Sequence, residues 1–243
     1  MITIYLYLGL TLLILVAGHF ILIPRSLHYY CREYFAYSPL PHYLHSRSVR
    51  YFVLSLIGLS LGAWQFPLFC MPIMGLFATL FSATIIFDLE FQIIPDWIHW
   101  FGVPAALGLA FANGTFLPMA IAIGLPLGLL IINFIFSKLT SGEGLGLGDI
   151  KLLFWLSILA GPSIYSVFAL AIVIGLLQNI FPLIRRRRSA ELRQSQRTVP
   201  QHDAEGRRRR ETFPFGPSII YAFCLFFMGI HFGSIPVNFL SNF

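Results

Sequence analysis

The chain of 243 residues is 57% hydrophobic and 11% charged, with a mean hydropathy of +0.79, far from the roughly 25% charged residues of a soluble domain. That balance excludes a soluble globular enzyme and points to an all-α, polytopic membrane bundle. The net charge of +6 does not call for a nucleic-acid partner, because in such a chain the placement of Lys and Arg reports topology first. Cys31, Cys70 and Cys224 show neither C-x-x-C nor C-x-C spacing, so they read as packing residues and no zinc or redox motif is expected.

About 20 apolar residues span a bilayer, fewer beside a polar cavity or where the membrane thins. Residues 1–24 are long enough, and without a basic leader or a small-residue cleavage site they are expected to persist as a first transmembrane helix. A short polar loop follows over residues 25–50. The apolar run from Tyr51 to Phe87 is too long for one crossing and is expected to split at Trp64-Gln65-Phe66-Pro67. Trp97 to Ala112, ended by Asn113-Gly114, and Phe116 to Phe136 come next. Ile150 to Ala160 is short, Ser163 to Ile184 is ample, and Phe215 to Pro236 completes an expected set of eight crossings. All are placed in one membrane-embedded domain, 1–243, with a catalytic core at 51–184 and a last helix within 215–238.

With the N-terminus outside, all 16 Lys and Arg fall on the cytoplasmic side, as short loops require. Arg25, Arg32, Arg47 and Arg50 follow the first helix, Lys138 and Lys151 bracket a glycine-rich stretch, and the remainder lie between Arg185 and Arg210. Omitting the short Ile150 to Ala160 segment would move Arg185 to Arg188 to the opposite side, so parity supports it as a crossing. Residues 185–211 are polar between two Arg tetrads and are expected to form a disordered cytoplasmic loop. This loop either fixes orientation or meets anionic lipid head groups.

Two constellations carry the chemistry. In Phe87-Asp88-Leu89-Glu90-Phe91-Gln92-Ile93-Ile94-Pro95-Asp96, Pro95 disfavours helix at Ile94, so a helix end, a turn and a new helix capped by Asp96 are expected. In Gly142-Glu143-Gly144-Leu145-Gly146-Leu147-Gly148-Asp149-Ile150-Lys151, alternate glycines specify a loop, since each costs about 1 kcal/mol in a helix interior. Asp149 then stands where the next helix starts, which also suits an N-cap. The G-x-x-x-x-G-K-[ST] order is missing and the loop ends in an acid, so anion binding is not expected.

An ionisable group at the edge of the hydrocarbon is a functional hypothesis by default. Were Asp88 and Asp149 to meet across the bundle, repulsion and desolvation would leave one proton on the pair. One carboxyl then acts as base toward water attacking a peptide carbonyl, and the other protonates the carbonyl oxygen. His28, His42, His45 and His99 read as hydrogen-bonded surface groups near the interface rather than metal ligands, so neither metal nor cofactor is expected.

Asp88 followed by Ile94-Pro95-Asp96, then Glu143-Gly144-x-Gly146-x-Gly148-Asp149-x-Lys151-Leu152-Leu153, resembles the type IV prepilin peptidases, membrane aspartyl proteases of the G-x-G-D type. The resemblance covers residues 82–175 at motif level. It implies an aspartic endopeptidase that removes the basic leader of type IV prepilins or type II secretion pseudopilins at the cytoplasmic face of the bacterial inner membrane. It also implies Asp88 and Asp149 as catalytic residues, with Asp96, Glu143, Gly146, Gly148 and Lys151 in supporting motif positions. Many members carry two C-x-x-C pairs in the first cytoplasmic loop, associated with N-methylation. Here that loop offers only Cys31, so a peptidase without methyltransferase activity is expected.

Two other classes fit the acid pair. One is a different G-x-G-D intramembrane protease, although the Tyr-Asp of that group is Phe87-Asp88 here. The other is a proton or cation transporter or an assembly scaffold, which has little need of the glycine loop.

Overall fold

The computed structural model describes residues 2–35, 49–56, 71–113, 116–140, 146–178 and 215–231. Every regular element among them is helical, as expected where the solvent offers backbone groups no partners and each segment must satisfy its own. Helix α1, Ile2–Ala17, passes through a π-helical turn, Gly18–Leu22, into α2, Ile23–Phe35. Short α3 covers residues 49–56, and α4, Met71–Phe91, α5, Asp96–Asn113, and α6, Phe116–Thr140, follow. Then α7, Leu147–Ala160, meets α8, residues 164–178, through a 3-10 turn at Gly161–Ser163. Helix α9 is Gly216–His231.

The first helix does not stop before Pro24, where the polar loop was expected, but continues to Phe35. A proline inside a helix lacks an N–H and presses on the carbonyl four residues back. That carbonyl belongs to Phe20, inside the π turn, where the wider ring relaxes the crowding. The Ile23 N–H closes the wider turn on the Gly18 carbonyl.

Among the described residues, four helical runs are long and apolar enough to cross a membrane: Thr3–Tyr30, Met71–Phe91, Leu117–Leu139 and Leu147–Gln178. These four runs do not test the expected count of eight, because several expected crossings fall partly outside the described residues. Residues 57–70, including the predicted split at Trp64 to Pro67, lie outside the described residues, as does the Arg-rich loop. The fourth run is uninterrupted in helical assignment yet folds back on itself. A straight path from Asp149 to Gln178 would cover about 43 Å. Instead Ser218 Oγ, close to the start of α9, lies 3.0 Å from Gln178 Oε1, and Gly216 at that same start bonds Asp88. The reversal occurs at Gly161, whose φ of 55° and ψ of −148° are open to glycine and strained for other residues.

Helix α4 is the central element, with 67% of its apolar window buried, whereas α6 shows only 11% and turns Ile131, Ile132, Phe134 and Ile135 outward. Phe77 and Phe81 of α4 stack on Trp155 of α7 at 5.7 Å between centroids. Trp155 also fills the space left by Gly102, where a Cβ would come within 2.9 Å of its ring. Small residues bring α1 and α4 together, as in membrane bundles generally: Gly75 meets Thr11, and Gly18 leaves no room for a Cβ beside Thr79.

Gly18→Ala is therefore expected to lower stability by about 1–3 kcal/mol, the usual cost of overpacking a well-packed interior. Gly9, with open space where its Cβ would be, tolerates Ala without loss. Thermal unfolding of the two variants in detergent compares them directly; equal midpoints would refute the close packing of α1 on α4.

Candidate active site

Asp88 occupies the last turn of α4 and is 5% exposed. The helix ends at Phe91, and the chain turns at Gln92, whose φ of 56° is left-handed and whose N–H donates to the Asp88 carbonyl at 3.0 Å. Ile94 and Pro95 are buried in the turn. The Ile98 N–H donates to the Pro95 carbonyl at 3.1 Å and starts α5. The expected sequence of helix end, turn and new helix is thus found. Asp96, however, is the first residue of α5, and its carboxylate bonds to Lys151 on α7.

The glycine-rich stretch is more helical than expected. Helix α7 starts at Leu147 with Gly146 as its N-cap, so Gly148 lies inside the first turn and Asp149 is in that turn rather than at the cap. The backbone N–H of Asp149 donates to the Gly146 carbonyl at 3.1 Å. Gly148 carries no bulk because α7 approaches Ile94 there, and a Cβ would stand 3.2 Å from the Ile94 Cβ. This close approach offsets the usual cost of a helical glycine. Glu143 lies outside the described residues.

Asp149 is 9% exposed, and its Oδ1 is buried without a hydrogen-bond partner among the described residues. It lies within reach of the charge on Asp88. The two acids, 61 positions apart by their numbers, are brought to one end of the bundle by the end of α4 and the start of α7. Between them sits Ile94, which touches Gly148 on α7 and Gly216 on α9. Such a pair can present a base and an acid to one substrate carbonyl.

A participant that the sequence reading missed is Gly216. Its N–H donates to Asp88 Oδ2 at 2.9 Å in a buried bond. A Cβ at Gly216 would lie 2.9 Å from the same oxygen and 3.2 Å from Ile94 Cδ1. The available signal was the glycine between Phe215 and Pro217 at the head of an apolar run. Proline suits the first turn of a helix, so the run read only as the last crossing.

His99 departs from the expected surface role. It is 8% exposed, and neither ring nitrogen is hydrogen-bonded among the described residues. His28 is exposed, while His42 and His45 lie outside the described residues.

The Lys151–Asp96 pair ties α7 to α5 beside the acids at 2.5 Å, with side chains 53% and 70% exposed. Hydrogen bonding and then the charge of Lys151 hold the Asp96 carboxyl below its ordinary range. A depressed carboxylate pKa contributes stability above the unfolded value, and that stability is lost as the pH falls through the folded one. Exposure and screening limit this pair to less than about 1 kcal/mol. Asp96→Asn is expected to lower the thermal midpoint slightly at neutral pH and low salt. The deficit closes in high salt and at pH below the carboxylate range. A deficit that persists in acid would show that Asp96 acts through something other than this pair.

The model of the Type IV leader peptidase family matches residues 74–180, an interval that includes Asp88, Asp96, Asp149 and Lys151 and leaves Gly216 outside. No curated protein and no solved structure matches the chain. The helices of crossing length fit a membrane protein, and the match over residues 74–180 supports a peptidase of the type IV leader peptidase kind.

Proposed function

We propose that the protein is an aspartic endopeptidase that removes the leader from type IV prepilins or type II secretion pseudopilins. Asp88 and Asp149 form the catalytic dyad in this reading. The observation that carries it is the placement of these two buried carboxyls at one end of the bundle, where Ile94 stands against both Gly148 beside Asp149 and Gly216 beside Asp88. With a water between them and the scissile carbonyl, one carboxyl removes a proton from the water as its oxygen attacks. The other gives a proton to the carbonyl oxygen. No nucleophilic side chain is required, and the tetrahedral species collapses as the amine leaves with a proton.

The acids belong to the cytoplasmic side of the inner membrane in this reading. Its support is the distribution of Lys and Arg, which falls on the same side of the expected topology as Asp88 and Asp149. The basic leader would then be cut where it emerges from the membrane. Asp96 and Lys151 keep α5 and α7 in register beside the dyad, Gly146 keeps side-chain bulk away from Asp149 so that an extended substrate backbone can lie there, and Gly148 lets α7 approach Ile94. Glu143 is assigned a supporting place on motif resemblance alone. The first cytoplasmic loop has only Cys31, which supports a peptidase without methyltransferase activity. The Arg-rich segment 185–211 is assigned to anionic lipid at the inner leaflet.

Purified protein in detergent is expected to cleave a model prepilin. Asp88→Asn and Asp149→Asn are each expected to lower the rate by at least about 100-fold, the lower end of what a positioned acid or base contributes, while thermal unfolding remains cooperative. An intact protein that cuts no prepilin bearing a basic leader removes the substrate assignment and favours the transport or scaffold reading. Near-full activity in either folded variant removes the dyad.

A further inference from the structure

We propose that the backbone N–H of Gly216 is a positioning group that divides the labour of the dyad, preparing Asp88 as the carboxylate base and leaving Asp149 as the protonated acid. The inference deepens the proposed protease reading and rests on its dyad, yet the decisive measurement below needs no substrate.

The two acids differ in what faces them. Asp88 Oδ2 receives a fixed, buried donor from a residue 128 positions away. The first N–H groups of a helix have no intrahelical partner and stand at the positive end of its dipole. Gly216 begins α9, so the bond satisfies one such orphan donor and places it on a carboxylate oxygen. A donor of this kind favours the charged form. The absence of a side chain at 216 is what permits the approach, since a Cβ would be 2.9 Å from Oδ2.

Asp149 has no such provision. The start of α7 lends it a favourable dipole, but Oδ1 is buried and meets no donor among the described residues. A proton on this carboxyl supplies a hydrogen-bond donor for an incoming carbonyl oxygen. The titratable groups on the packed elements include Asp149 and Lys151 on α7, Asp96 and His99 on α5, Tyr30 on α2 and Tyr221 and Cys224 on α9, with Glu90 on α4 itself. Lys151 and Asp96 engage each other, and the acidic charge that Asp149 meets is that of Asp88.

The proton accounting closes. Asp88 takes a proton from the attacking water as the carbon–oxygen bond forms, and the Asp149 proton passes to the carbonyl oxygen. In the collapse, the carbon–nitrogen bond breaks and Asp88 returns its proton to the departing amine. Asp149 recovers a proton from a hydroxyl of the tetrahedral carbon. Both groups end as they began, and Asp88 keeps the Gly216 N–H as its fixed donor when it regains its charge.

Infrared pH titration of the carboxyl stretch in single-acid variants tests this assignment. In Asp149→Asn, the remaining Asp88 is expected to lose its proton at lower pH than Asp149 does in Asp88→Asn. Adding Gly216→Pro, which removes the N–H at a position where a helix start tolerates proline, is expected to raise the Asp88 midpoint by about one pH unit, a tenfold change in its protonation constant. It should leave the Asp149 midpoint in place. Gly216→Ala adds bulk but keeps the N–H, and is expected to move Asp88 less.

The reverse order of the two midpoints overturns the division of labour. Equal shifts from Pro and Ala, or a Pro shift that appears on Asp149 instead, overturn the role of the Gly216 N–H. If Gly216→Pro fails to fold, the order of the midpoints in the two single-acid variants still decides between the roles. Failure to cut a prepilin would bear on the substrate and would leave these titrations interpretable.

Discussion

A carboxylate enclosed at the end of an apolar bundle must replace the water it gives up, and only a few groups can do so without bringing in a second charge. At Asp88 the replacement is a backbone N–H at the start of α9. That solution demands a helix start aimed at the end of α4, a residue without a side chain at the point of contact, and a rigid spacer to hold the two apart. Gly216, the first residue of α9, supplies the first two, and Ile94, which stands against both Gly216 and Gly148, supplies the third.

Much of the helical arrangement serves to bring ends together. The ends of α4 and α8 meet the starts of α5, α7 and α9 at one level, so the acids, the Lys151–Asp96 pair and the Ser218–Gln178 bond share a single end of the bundle. Aromatic stacking of Phe77, Phe81 and Trp155 fixes α4 against α7 below that level. Because side chains inside a packed bundle have little freedom to shift, this packing limits how far Asp88 and Asp149 can move apart. The outward face of α6, by contrast, carries large apolar residues suited to lipid.

The local features around the acids were legible before the fold. Pro95 and the glycines at 146 and 148 act on their immediate neighbours, and the helix end, the turn and the start of α5 follow from them. Where local reasoning failed, a contact from elsewhere had prevailed. Gly148 lies in a helix where Ile94 comes close to it, Asp96 turns from its own helix start to Lys151, and His99 is buried rather than hydrated. Pro24 failed to end the first helix because a π turn took up the crowding.

The amino-acid order alone determined that this is a helical membrane protein, that two acids close apolar segments, and that their motifs resemble a protease family. These are properties of composition and of spacing over a few residues, which a single chain displays directly. Only the tertiary structure decided that Asp149 lies within reach of the Asp88 charge, that α8 turns back toward their level, and that a buried donor to Asp88 comes from Gly216. Those facts depend on which helix ends meet in space. A hydrogen bond spanning 128 positions leaves no periodic trace in the residues on either side of it.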